Sequence, residues 1–208
     1  MSTYVLHDFP RSSACYRVRI ALALKGIAYE RTHIDIRAGD QRESTYLDVN
    51  AAGLVPALRL PDGTVLKQSL AILRFLDQVG GPRLFPINSI DDARVSAMAM
   101  TVACDIHPLN NLRVLSYMQD ELMVSADAKS AWYAHWVQSG LNALEIETRA
   151  YGGKYCYGDE VSAADICLVP QLANARRFGV DLKDFTNLVE IDQRLTALPA
   201  FEAAAPGD

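Results

Sequence analysis

What most constrains this chain is a change of pattern near residue 82: strand and helix signals alternate before it, and strand signals almost vanish after it. Tyr4-Val5-Leu6-His7 reads as a short buried strand. Over residues 12–25, Val18, Ile20, Ala21, Leu22 and Leu24 recur at helical spacing. Ser12 or Ser13 can cap the start of that helix, and Lys25-Gly26 suits its end. Residues 28–36 alternate as a second strand. Residues 57–60 and 64–66 flank Pro61-Asp62-Gly63, where Asp-Gly supplies a hairpin turn. Gln68-Ser69 opens a helix over 70–78, which Gly80-Gly81-Pro82 ends. This order, β-α-β followed by β-β-α, predicts a mixed sheet covered by helices.

From Pro82 to Asn88 the composition is that of a linker. Beyond it the spacing predicts helices over 90–122, 126–151, 161–178 and 188–198. Trp132, Trp136, Leu141 and Leu144 form the apolar face of the second, and Pro170 is expected to kink or shorten the third. Two domains follow, 1–82 (α/β) and 88–208 (all-helical), with a small polar tail, 203–208, expected to be loosely ordered. Ser162-Ala163-Ala164-Asp165 before an apolar run predicts a capping box with Asp in place of Glu.

The net charge of −5 argues against a nucleic-acid partner, which would need a basic face. No apolar run reaches the roughly 18 residues of a membrane span. The start, MSTYVLHDFPR, lacks the basic end and apolar core of a signal peptide. Cys15, Cys104, Cys156 and Cys167 show neither CxxC nor zinc-like spacing, so no metal site is expected. These features together lead to the expectation of a cytoplasmic, reduced protein.

Five segments can carry chemistry. Arg11-Ser12-Ser13 lies between a strand and a helix, where unpaired N–H groups and the helix dipole favour an anion, and a serine can donate to a bound thiolate. Both serines can equally be caps. Cys15 is either a reactive thiol or a small core residue. Val55-Pro56 precedes a strand; a cis bond there would present the Val55 peptide to an extended ligand, although only about 5–6% of X-Pro bonds are cis. Gln68-Ser69 can hold a carboxylate or merely cap. In Cys104-Asp105-Ile106-His107-Pro108-Leu109-Asn110-Asn111-Leu112-Arg113, Pro108 kinks a long helix and a polar cluster follows.

Arg11-Ser12-Ser13 with Arg17-Val18-Arg19-Ile20-Ala21-Leu22-Ala23-Leu24-Lys25-Gly26 resembles the zeta-class glutathione transferases, which include maleylacetoacetate and maleylpyruvate isomerases. So do Leu54-Val55-Pro56, Gln68-Ser69-Leu70-Ala71-Ile72, Gly158-Asp159-Glu160-Val161, Ala164-Asp165 and Leu168-Val169-Pro170-Gln171. The block 104–108 with Asn110-Asn111 is most like the maleylpyruvate isomerase branch. The resemblance implies a thioredoxin-like N-terminal domain with a cis Pro56, an all-α C-terminal domain, a homodimer and glutathione as cofactor. It implies that Ser12 donates to the thiolate, Val55 pairs with the cysteinyl backbone, Gln68 and Ser69 hold the γ-glutamyl end, and His107 and Asn111 reach glutathione from the helical side, with Ser13 and Pro56 also among the glutathione-binding residues. The implied reaction is cis–trans isomerisation of a maleyl-type keto acid by thiolate addition, bond rotation and elimination. Such an anionic substrate calls for arginines, for which Arg11, Arg113, Arg177 and neighbouring Arg176 are the candidates. Ala14 stands where the family has Cys or Thr, Gly53 where an amide or lysine often meets the glycyl end, and Leu112 where the maleylpyruvate branch has Arg. Other readings on the same scaffold are a transferase or dehalogenase of small halogenated acids, a non-catalytic binding protein, and a thiol reductase using Cys15.

Overall fold

A computed structural model describes residues 3–207. The chain divides into two compact units, one running to Leu84 and resuming at Leu198, the other Phe85–Ala197.

In the first unit, β1 (Tyr4–Asp8) leads into α1 (Ser13–Leu24) and β2 (Tyr29–His33). A short α2 (Ser44–Leu47) follows, then β3 (Ala57–Arg59), β4 (Val65–Lys67) and α3 (Ser69–Gln78). The sheet order is β2-β1-β3-β4, with β1 parallel to β2 and antiparallel to β3, and β3 antiparallel to β4. This is the mixed sheet that the alternating signals predict. The register sets His7 opposite Ala57, and Ala57 opposite Lys67. The segments after β1, before β3 and after β4 therefore meet at one end of the sheet.

The second unit contains α4 (Ser89–Met100), α5 (Leu112–Asp120), α6 (Ala126–Tyr151), α7 (Ala163–Arg177) and α8 (Thr186–Thr196). The expected helix 90–122 is not one kinked rod. After α4 the backbone widens into a π-helical stretch, Thr101–Ile106, then tightens into a 3-10 turn, His107–Asn110. Pro108 has no N–H and its ring crowds the carbonyl four residues back, so one hydrogen bond of a regular α-helix is missing where the backbone changes from π to 3-10 geometry. α7 runs through Pro170 without being shortened; it is buried along most of its length, and that packing offsets one missing hydrogen bond. The capping box forms at Ser162 and Asp165. The buried stripe of α6 is Tyr133, Val137, Leu141, Leu144 and Thr148, so the face is turned by one position and both tryptophans are only half-buried. Buried Glu145 accepts from the N–H groups of Asn187 (3.1 Å) and Leu188 (3.0 Å), satisfying the start of α8 from α6.

The end of the chain corrects two expectations. α9 (Pro199–Ala204) packs on α1 in the first unit and so does not extend a helical domain 88–208. Phe201 is fully buried and its carbonyl accepts from the Tyr16 hydroxyl (3.3 Å). Ala203 and Ala204 are helical, and Ala204 is buried, so the loosely ordered tail expected from 203 does not begin there; Asp208 lies outside the described residues.

Candidate active site

The site in the first unit is built by strand ends. After Asp8 the chain turns through Phe9-Pro10-Arg11 and enters α1 with Ser12 as N-cap. Ser12 Oγ accepts from the Cys15 N–H at 3.2 Å. A hydroxyl has one proton and two lone pairs, so a capping serine keeps its proton for another acceptor. The cap and donor roles, alternatives in the sequence, are therefore compatible. Ser13 is buried beside it.

Cys15 is not a usable nucleophile. It is fully buried, and burial first, then the nearby Asp8 charge, pushes its thiol to about 12 against the help of Ser12. The sequence could not separate this from a reactive thiol, because both readings ask for a cysteine early in a helix.

The Val55–Pro56 bond is cis and leads directly into β3. Tyr46 Oη (2.7 Å) and Asn50 Nδ2 (2.6 Å) both donate to the Leu54 carbonyl, fixing the turn from behind, and Val55 stays partly exposed. Gly53 has φ +60°, and a Cβ there would stand 3.0 Å from the Gln41 carbonyl oxygen. The departure at this position thus has a backbone cause: a side chain would be strained and crowded. Gln68, at φ 66°, is the exposed N-cap of α3, and Ser69 is buried as its first residue.

At the C-terminal ends of β1 and β2 lies a cleft of about 320 Å³ lined by Arg11, Arg31, His33 and Arg37 over Phe9, with Asp35 as its carboxylate. Arg31 also pairs with buried Asp8 at 2.5 Å.

In the second unit the expected residues fall at two places. His107 opens the 3-10 turn, and Asn111 caps α5 through its Oδ1, which accepts from the Val114 N–H at 3.1 Å. The Asn111 amide N–H₂ group remains a donor. Arg113 is exposed in the first turn of α5. At the end of α7, Arg177 lies over the Phe178 ring (5.2 Å) and donates to Asn174 Oδ1. Tyr133 stacks on Phe178 at 4.3 Å, and burial raises its hydroxyl to about 12 despite the Arg177 charge. Arg176 points elsewhere: it pairs with buried Asp192 at 2.6 Å, which makes it a structural counter-charge rather than a substrate ligand.

Residues 11–79 match the glutathione S-transferase N-terminal domain family. Over 99% of its length the chain is 43% identical to a probable maleylacetoacetate isomerase of Vibrio cholerae, covering 97% of that protein. The chain belongs to the maleylacetoacetate isomerase family. Its fold matches the holo structure of maleylpyruvate isomerase, a bacterial zeta-class glutathione S-transferase, with a TM-score of 0.94 at 38% identity over 97% of this chain and 96% of that one. A maleylacetoacetate isomerase from Anaeromyxobacter dehalogenans, solved with dicarboxyethyl glutathione and citrate in the active site, matches with a TM-score of 0.88 at 38% identity, over 98% of this chain and 94% of that one. In family terms the first unit carries the thioredoxin-like, glutathione-transferase fold.

Sequence reasoning gave no role to Arg17, Arg19 and Asp8. All three are buried. The available signal was two arginines inside the apolar run Tyr16-Arg17-Val18-Arg19-Ile20, where a helix sunk in a core carries charge only with a reason.

Proposed function

We propose that this protein is a glutathione-dependent cis–trans isomerase of a maleyl-type keto acid, maleylacetoacetate or maleylpyruvate. The observation that carries the reading is the convergence of Ser12, Val55-Pro56 and Gln68-Ser69 at one end of the sheet, in a chain so similar to isomerases of that name. The residues present fit glutathione. A peptide beside a strand end suits its backbone, and the uncapped start of α3, backed by the buried Arg17, suits a carboxylate.

Glutathione held by these residues would supply a thiolate nucleophile for reversible addition to the substrate's double bond, the chemistry that permits cis–trans rotation without net consumption. The chain supplies the rest. Ser12 donates its free proton toward the sulfur, and the α1 N-terminus adds a positive dipole end, so the thiol ionises near neutral pH. Val55 offers its peptide groups to the cysteinyl backbone, while Gln68 and Ser69 take the γ-glutamyl end. His107 and Asn111 are the further candidate glutathione ligands. Arg11, Arg113 and Arg177 hold the substrate's carboxylates and steady the charge that develops on its carbonyl oxygen. That the Anaeromyxobacter dehalogenans relative was solved with dicarboxyethyl glutathione and citrate in its active site supports a polyanionic substrate.

The family relationship further supports a homodimer, to be checked by light scattering. The four free cysteines agree with a reducing, cytoplasmic setting. The reading is tested by titrating the ultraviolet absorbance of glutathione thiolate on the protein. Bound glutathione is expected to ionise below its free pKa in the wild type and near it in Ser12→Ala. An unshifted thiol in the wild type would remove the chemical basis of the proposal.

A further inference from the structure

Arg17 and Arg19 lie two residues apart on α1, and both are almost wholly buried, at 1% and 2% exposure. Arg19 is fully engaged. Its Nη1 donates to Asp8 Oδ1 (2.7 Å), its Nε to the Ala204 carbonyl (2.9 Å) and its Nη2 to the Pro10 carbonyl (3.0 Å). Arg17 is not. Its Nη1 donates to Ser69 Oγ at 3.1 Å, while Nε and Nη2 find no partner among the described residues. A guanidinium stays charged at any working pH, and a buried charge without a counter-charge is costly. Such a group calls for an explanation.

The explanation lies in what Arg17 faces. Ser69 is the first residue of α3, a helix of ten residues whose N-cap, Gln68, gives no side-chain cap. The first N–H groups of that helix have no partner within it. Because Ser69 Oγ accepts from Arg17, the Ser69 proton is left to donate outward. Backbone N–H groups, a hydroxyl proton, the helix dipole and a guanidinium behind them all ask for an acceptor with negative charge and two oxygens.

We infer that Arg17 is a positioning residue for a carboxylate held at the N-terminus of α3, acting through Ser69. The inference rests on the glutathione reading, under which this carboxylate is the α-carboxylate of the γ-glutamyl residue. Arg17 orients the Ser69 hydroxyl and supplies the charge that a neutral cap lacks.

The test is equilibrium binding to the full chain, by calorimetry, with no turnover involved. Two ligands are compared: glutathione, and the same tripeptide with its γ-glutamyl α-carboxylate amidated. Wild type is expected to prefer glutathione by ~10-fold or more. Arg17→Gln is expected to weaken glutathione binding ~10- to 100-fold and to change binding of the amide less than ~3-fold. Arg17→Lys, which keeps the charge, is expected to recover part of the loss. Losses in Arg17→Gln and Ser69→Ala are expected not to add, because one residue works through the other. A purely structural Arg17 would lower the melting temperature and weaken both ligands alike, and that result overturns the inference, as does unchanged glutathione affinity in folded Arg17→Gln. If Arg17→Gln does not fold, wild type binding the two ligands equally well overturns it instead. Wild type that binds no glutathione at all sinks the functional reading, a separate outcome.

Discussion

Replacing Asp165 by alanine should be among the most damaging single changes in the second unit. Asp165 is fully buried at the start of α7. Its Oδ2 accepts from the Ser162 N–H (2.8 Å) and the Ser162 hydroxyl (2.9 Å), and its Oδ1 from the Cys156 N–H (2.9 Å). Alanine leaves two backbone donors, both on buried residues, without a partner. Each orphaned donor costs about 1–3 kcal/mol, and the lost helix cap adds about 1 kcal/mol. The expected loss is ~3–7 kcal/mol, a large share of the roughly 5–15 kcal/mol of a typical protein. Asp165→Asn keeps one acceptor oxygen and should cost about half as much. Ser162→Ala leaves the backbone bond to Asp165 in place and should cost only ~1 kcal/mol. Urea unfolding followed by circular dichroism measures all three. A loss below ~1 kcal/mol for Asp165→Ala at unchanged denaturant slope would refute the reasoning.

Three further outcomes follow from the same structure. Iodoacetamide on the native protein should modify Cys104 alone, since Cys15, Cys156 and Cys167 are buried and burial pushes the Cys15 thiol to about 12; mass spectrometry should find one adduct before denaturation and four after it. Burial, then the Arg59 charge, lowers the His7 pKa, so the unfolded chain takes up its proton first as pH falls. His7 therefore contributes stability that is intact above about pH 6.5 and declines below it, and His7→Gln should flatten the acid side of a urea-midpoint series. Gly140→Ala places a Cβ 2.2 Å from Ile106 Cγ1, so a loss of about 1–3 kcal/mol should outweigh the ~1 kcal/mol gained in helix propensity, and the loss should be smaller when measured in an Ile106→Ala background, which removes the clashing atoms.

The parts of the fold that were legible in the sequence are those fixed by short-range chemistry. Asp62-Gly63 makes a hairpin wherever two strand-like runs flank it, and Ser162 with Asp165 caps a helix through residues three apart. The α6 boundaries were legible for the same reason, because Ser125 caps it locally. What the sequence hid depends on distant partners. Phe201 is a core residue only because α1 lies against it, 185 residues away through the Tyr16 bond. The π-helical stretch before His107 cannot be read from Pro108 alone, since proline forbids one hydrogen bond but does not say how the preceding turns repack. At the site, Ser12, Val55-Pro56 and Gln68-Ser69 stood out because turn and cap residues are locally unusual. The burial of Cys15, the pairing of Arg176 with Asp192 and the isolation of Arg17 are tertiary facts with no local signature.

The most direct measurement is ultraviolet-monitored isomerisation of maleylpyruvate and maleylacetoacetate at limiting glutathione. The expected result is many trans products formed per glutathione, none without it, and a fall of ~100-fold in Ser12→Ala. Glutathione binding with no turnover of either acid, or a product that retains the glutathione, would contradict the isomerase reading.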